Sequence, residues 1–97
     1  MRVEYHPAIE GDLRKIMDFY DEQSHGLGIQ VLDEFERQIL HITSMPTRWM
    51  IIESDIRRAL MKRFPYVIYF RTLGNNVVRV TVVKHQRRHP EYGLSRK

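Results

Sequence analysis

Tyr66-Val67-Ile68-Tyr69-Phe70-Arg71, then Gly74-Asn75-Asn76, then Val77 to His85: this stretch decides how the chain folds. Its first segment is dense in β-branched and aromatic residues, which suit a pleated, half-buried surface. Gly-Asn-Asn is a hairpin turn signal. The segment after it alternates. Val78, Val80 and Val82 are expected on one side, and Arg79, Thr81 and His85 on the other with Val77 and Val83. One side of the sheet should therefore pack on an apolar layer, while the other carries polar and basic groups.

Upstream, Ile56 to Arg63 reads as a further strand, set off by Phe64-Pro65. Successive hairpins would make these three strands antiparallel. Before them the period changes. Ile29, Leu32, Phe35, Ile39 and Ile42 recur at helical spacing until Met45-Pro46 stops the helix. Ile9, Leu13, Ile16, Met17 and Tyr20 form an earlier stripe, with Pro7 suited to the first turn. Ser24-His25-Gly26-Leu27-Gly28 divides the two helices, and Ser24 is a candidate cap for the second. Two amphipathic helices joined this closely predict an antiparallel hairpin. At the start, Arg2-Val3-Glu4-Tyr5-His6 reads as a short strand. The order is β-α-α-β-β-β, an α+β layout with the helical hairpin packed on one face of a small antiparallel sheet. At 97 residues, one domain spanning 1–97 is expected.

Composition narrows the function. Cysteine is absent, which excludes disulfide scaffolds and thiolate metal sites. No stretch approaches the roughly 20 apolar residues of a membrane span, and the first residues lack the apolar run of a signal peptide. A cytoplasmic protein without membrane association is expected. The net charge of +4 conceals a division: residues 1–56 hold five bases against eleven acids, and residues 57–97 hold eleven bases against Glu91 alone. A C-terminal half at +10 points to an anionic partner. The bland alternative is basic strands that face solvent beside acidic helices.

The densest cluster is His85-Gln86-Arg87-Arg88-His89-Pro90-Glu91-Tyr92. Guanidinium grips phosphate, imidazole titrates near neutral pH, and a phenol stacks on a base or exchanges a proton. Metal-free phosphodiester cleavage needs such groups; a solvated strand end would show them too. His85 and His89 have no third ligand beyond Glu91, and their spacing is not a zinc pattern, so no metal or cofactor is expected. Trp49, Met50, Ile51 and Ile52, in a connecting segment, are candidates for an exposed apolar patch.

Several of these motifs together resemble the RelE/ParE superfamily of toxins. The likeness lies in His6-Pro7-Ala8, in the Gly26-containing connector, and above all in Ile56 to Arg71 with its Phe-Pro-Tyr-Val-Ile-Tyr core. Val80 to His85 and Arg87-Arg88 complete it. The resemblance spans nearly the whole chain. It implies the toxin of a type II, plasmid-stabilising toxin–antitoxin system that arrests growth and is held in a hetero-oligomer by a cognate antitoxin.

The resemblance also divides the function. ParE-like members poison DNA gyrase, whereas RelE-like members cleave mRNA on the ribosome. The nuclease reading would make Arg57, Arg87 and Tyr92 catalytic. Ala59 and Tyr66 stand where two further cations are expected, which favours the gyrase branch. A basic RNA- or ribosome-binding module without toxicity is a third reading. Arg79, His85, Arg87, Arg88, Tyr92 and Arg96 are the expected target-binding residues. Leu32, Phe35, Trp49 and Ile52 are those expected to meet the antitoxin.

Overall fold

The computed structural model describes residues 1–97. Strand β1 (Arg2–Tyr5) leads into helix α1 (Ala8–Gln23) and helix α2 (Leu27–Ser44). A 3-10 turn (Pro46–Arg48) then leads to β2 (Ile51–Glu53), β3 (Ile56–Leu60), β4 (Tyr66–Leu73) and β5 (Val77–His85). The five strands lie in the order β1-β5-β4-β3-β2. All neighbours are antiparallel except β1 and β5, which run parallel. The helical hairpin and the antiparallel hairpins are those the sequence predicts. Edge strand β2 is an addition, too short at three residues to show a period.

Both helices cover one face of the sheet. Ile9, Val31, Phe35, Ile39 and Ile42 from the helices meet Ala59, Ile68, Phe70, Val78 and Val80 from the strands in a single apolar cluster. Full burial of such side chains stabilises by about 1.5–3 kcal/mol each, so this face carries most of the folding energy. Two helix positions differ from expectation. Ile29 is 55% exposed, while Val31 is buried in its place: Val31, Phe35, Ile39 and Ile42 recur every three or four residues, whereas Ile29, six before Phe35, lies about 120° round the helix. Ser24 ends α1 rather than capping α2: its N–H donates to Tyr20 O, and Gly26, at φ +87°, takes the N-cap of α2. Gly28 lets the helices approach, since a Cβ there would lie 2.6 Å from Met17 O.

Polar side chains finish what the strands leave open. The Glu34 carboxylate accepts the N–H groups of Arg63 and Phe64, at 2.8 and 3.2 Å, and so fixes the turn between β3 and β4. That turn follows Leu60, where β3 ends sooner than the hydrophobic pattern implies.

The strict alternation expected along β5 breaks at Thr81. Phe70 pairs with Val80 but Tyr69 pairs with Val82, so Thr81 is an extra, bulged residue. A bulge reverses the facing of everything beyond it. Val78 and Val80 face the helices, and after the bulge so does Val83. Val82 passes to the opposite face, joining Ile56, Val67 and Tyr69 in a second, smaller cluster. That face is not merely polar and basic, as the alternation predicts. Residues 86–97 fold back over it, with Tyr92 and Leu94 packed on the cluster.

Candidate functional site

The bulge turns Lys84 toward the C-terminal tail, and Lys84 organises what lies there. The residue is 5% exposed. Its ammonium donates to three tail carbonyls: His89 at 2.9 Å, Pro90 at 3.1 Å and Tyr92 at 3.0 Å. Three donors meet three acceptors, so the buried charge is fully satisfied. Nζ also lies 4.2 Å from the Tyr69 ring centroid. Burial pushes the Lys84 pKa down, and nearby Arg88 and Arg58 push it further. The sequence offers no marker for this residue, because strict alternation puts Lys84 on the helix side.

Other bonds close the tail onto the sheet. Tyr69 Oη donates to Pro90 O at 3.0 Å. Gly93 sits at φ +84°, with the position of a Cβ only 2.4 Å from Val82, so both backbone and space demand glycine. Arg96 donates to Asp12 Oδ2 at 2.6 Å and to the carbonyl of the bulged Thr81 at 3.2 Å. This pair joins the far end of the tail to α1.

The tail also gathers cations around Tyr92. The Arg88 guanidinium lies 3.9 Å from its ring centroid and that of Arg96 lies at 5.5 Å. Between the tail, α1 and the end of β5 is a cavity of about 290 Å³, reached by Lys15, Phe19, Tyr66, His85, Arg88 and Tyr92. Neither Lys15 nor Arg88 is in a salt bridge. His85 stands edge-on to Tyr66, centroids 5.4 Å apart, and its Nδ1 accepts the Arg87 N–H. His89 uses its Nδ1 likewise, for the Glu91 N–H. Burial and neighbouring Tyr20 push the Tyr66 phenol up to about 12, so it is neutral at physiological pH.

Of the residues expected to meet a target, His85, Arg88 and Tyr92 line this one cavity, and Arg87 lies next to them in the tail just past β5. Arg87 and Arg88 are exposed and carry no ion pair. Arg79 and Arg96 are occupied within the fold, Arg79 by Glu4 at 3.7 Å and Arg96 by Asp12.

Arg57 does not join Arg87 and Tyr92. It shares the helix-side parity of Ala59, and its Nη1 donates to Trp49 O at 2.7 Å and Thr47 O at 3.3 Å. Arg58, its neighbour, faces the tail side instead. Ala59 is wholly buried under the helices, so a cation there would not have faced the tail.

The four residues expected to meet an antitoxin fall in three places. Leu32 and Phe35 line a groove of about 460 Å³ between the helices and β1, with Phe35 itself buried. Trp49 packs on the main core near the edge of β3, and Ile52 packs on the tail-side cluster. No helix is long and apolar enough to cross a membrane.

Comparison with known proteins gives this arrangement its relatives. No curated protein matches the sequence. Among solved structures, the fold is similar to a chain described as the chromosomal ParDE TA system from P. aeruginosa. The TM-score is 0.76 at 13% identity, over 88% of this chain and 95% of that one. The family described as the ParE toxin of the type II toxin-antitoxin system parDE matches residues 3–90, which include β1 from Val3, the helical hairpin, the other four strands and the tail as far as Pro90. The chain belongs to the ParE toxin family of type II toxin–antitoxin systems.

Proposed function

We propose that this toxin arrests growth by binding DNA gyrase and stabilising gyrase-dependent DNA breaks, without bond-making chemistry of its own. A cognate antitoxin neutralises it in a hetero-oligomer in the cytoplasm. The exposed pair Arg87 and Arg88, with His85 and Tyr92, is the target-facing surface of the single domain.

One observation carries the choice of target. The strand residues expected to supply a metal-free ribonuclease's cations do not stand free beside Arg87 and Tyr92. A phosphorane transition state requires preorganised cations, and loss of one such group commonly costs about 10²–10³ in rate. Arg57 is turned to the helix side and bound to carbonyls. Lys84 is on the correct face, but its three protons are held by the tail. Tyr66 is neutral and carries no charge.

A second reading has one observation in its favour. Arg58, Arg88 and Tyr92 share the tail side, and both arginines are near enough to act on Lys84. Under this reading the chain is a RelE-like ribosome-dependent ribonuclease, with Arg58 in the role expected of Arg57.

The two separate cleanly. Purified toxin is added to a gyrase cleavage reaction and, in parallel, to a translating extract whose mRNA ends are mapped. Gyrase-dependent breaks with intact mRNA support the first reading. Codon-positioned mRNA cleavage, lost in Arg58→Ala, would establish the second.

A further inference from the structure

The outer edge of β3 is only half covered by β2. Ile51 lies opposite Arg57, and Met50 O accepts the Arg58 N–H at 3.1 Å. Beyond that point the chain has already turned away through Pro46–Arg48, and a side chain completes the edge. Gln38, 5% exposed, donates Nε2 to Leu60 O at 3.1 Å. A side-chain amide over an exposed strand edge discourages unwanted pairing. Between this edge and the departing turn lies a notch of about 430 Å³, lined by Gln38, Arg48, Trp49, Met50, Arg58, Leu60 and Lys62.

Two independent features of the notch describe its occupant. Arg48, Arg58 and Lys62 reach it, no carboxylate does, and none of the three is in a salt bridge within the chain. Met50 and Leu60 are 67% and 50% exposed at its rim, with Ile51 at 49% beside them, so apolar surface is left open to water.

We propose that the notch around Trp49 is the docking site for an acidic peptide segment. It seats an apolar side chain against Met50 and Leu60 and sets its carboxylates on Arg48, Arg58 and Lys62. The assignment refines the antitoxin reading above and rests on it for the owner of the segment. Charge complementarity selects the sign of the partner and speeds encounter, while the apolar anchor holds it. It also selects among the expected antitoxin contacts: Trp49 belongs to this site, whereas Leu32 and Phe35 line a separate groove whose rim carries Glu10 and Glu36.

Trp49 is the only tryptophan, so its fluorescence reports the notch directly. The probe is a tryptophan-free synthetic peptide of about twelve residues, enough to hold anchors at i, i+3, i+4 and i+7, with leucines flanked by glutamates. Controls replace the glutamates by lysines, or the leucines by serines. The acidic peptide should shift Trp49 emission saturably and both controls should not. Arg48→Glu combined with Lys62→Glu should weaken binding by about tenfold or more, each tenfold corresponding to 1.4 kcal/mol. Leu60→Ser, at an exposed site that leaves the fold intact by circular dichroism, should weaken it too.

No shift with the acidic peptide, or equal affinity in the charge-reversed variant, would overturn the assignment. So would a shift caused only by single-stranded oligonucleotide, or one produced by raising the toxin's own concentration. Growth arrest on expression, measured separately, keeps the two readings apart. A chain that arrests growth but ignores the acidic peptide refutes the notch alone. A chain that binds the peptide yet arrests nothing refutes the toxin reading alone.

Discussion

On the helix-covered face of the sheet, fourteen buried residues form one cluster; on the tail-covered face, four do. The first face closes by apolar contact, with Phe70, Ile42, Ile68, Val78 and Val80 all fully enclosed. The second closes by polar fastening, through Lys84 to three carbonyls, Tyr69 to Pro90 and Arg96 to Asp12. Apolar contact is non-directional and hard to undo locally. A few directional bonds to one segment can open without unfolding the rest, and such low-stability segments are where functional surfaces occur. The sheet thus has a permanent side and a side fastened by a few bonds, which is the working side under the proposed function.

Breaking the permanent side should have the largest effect. Phe70→Ala leaves a cavity at the centre of the larger cluster and should cost about 3–5 kcal/mol, read as a lower denaturation midpoint. A loss below about 1 kcal/mol would mean the two faces are not energetically distinct.

Lys84→Met tests the working side. It keeps the apolar stem but takes a donor from three tail carbonyls: Tyr92 O is left with none, while His89 O keeps the Tyr92 N–H and Pro90 O keeps the Tyr69 hydroxyl, at about 1–3 kcal/mol in all. The loss should be local. Amide exchange should rise in residues 86–97 while the helices keep their protection. Uniform loss of protection would show the tail to be part of the same cooperative unit as the core.

Titration sharpens the comparison from the other direction. Tyr66 lies on the helix side, and its folded-state pKa of about 12 exceeds its ordinary 10.0. A raised pKa contributes stability that is fully present below pH 10.0 and lost as pH rises through about 12. Tyr66→Phe should therefore flatten the decline of stability across that window. An unchanged slope would mean that the phenol ionises freely in the folded chain.

Much of the molecule is legible in the sequence, and the losses have physical reasons. The strand Tyr66 to Arg71 and its turn at Gly74-Asn75-Asn76 are visible because aromatic and β-branched density needs tertiary burial, and the turn residues supply its backbone: Asn75 and Asn76 both adopt positive φ. The bulge at Thr81 is not visible, since one extra residue leaves no compositional trace. It alone moves Val82 and Lys84 to the tail side. With it went the expectation of a bare polar face and the importance of Lys84. The tail cluster could be located by its density of arginine and histidine. Which of its bases are free could not, because Arg96 finds Asp12 across 84 positions of sequence.

The most direct test concerns Arg87 and Arg88, the exposed bases that the tail presents. Substitution of both by alanine should change stability by no more than about 0.5 kcal/mol, as is usual for exposed sites. Expressed without antitoxin, the double variant should fold normally by circular dichroism and fail to arrest growth. Full growth arrest by the folded double variant would contradict the placing of the toxic surface on the tail.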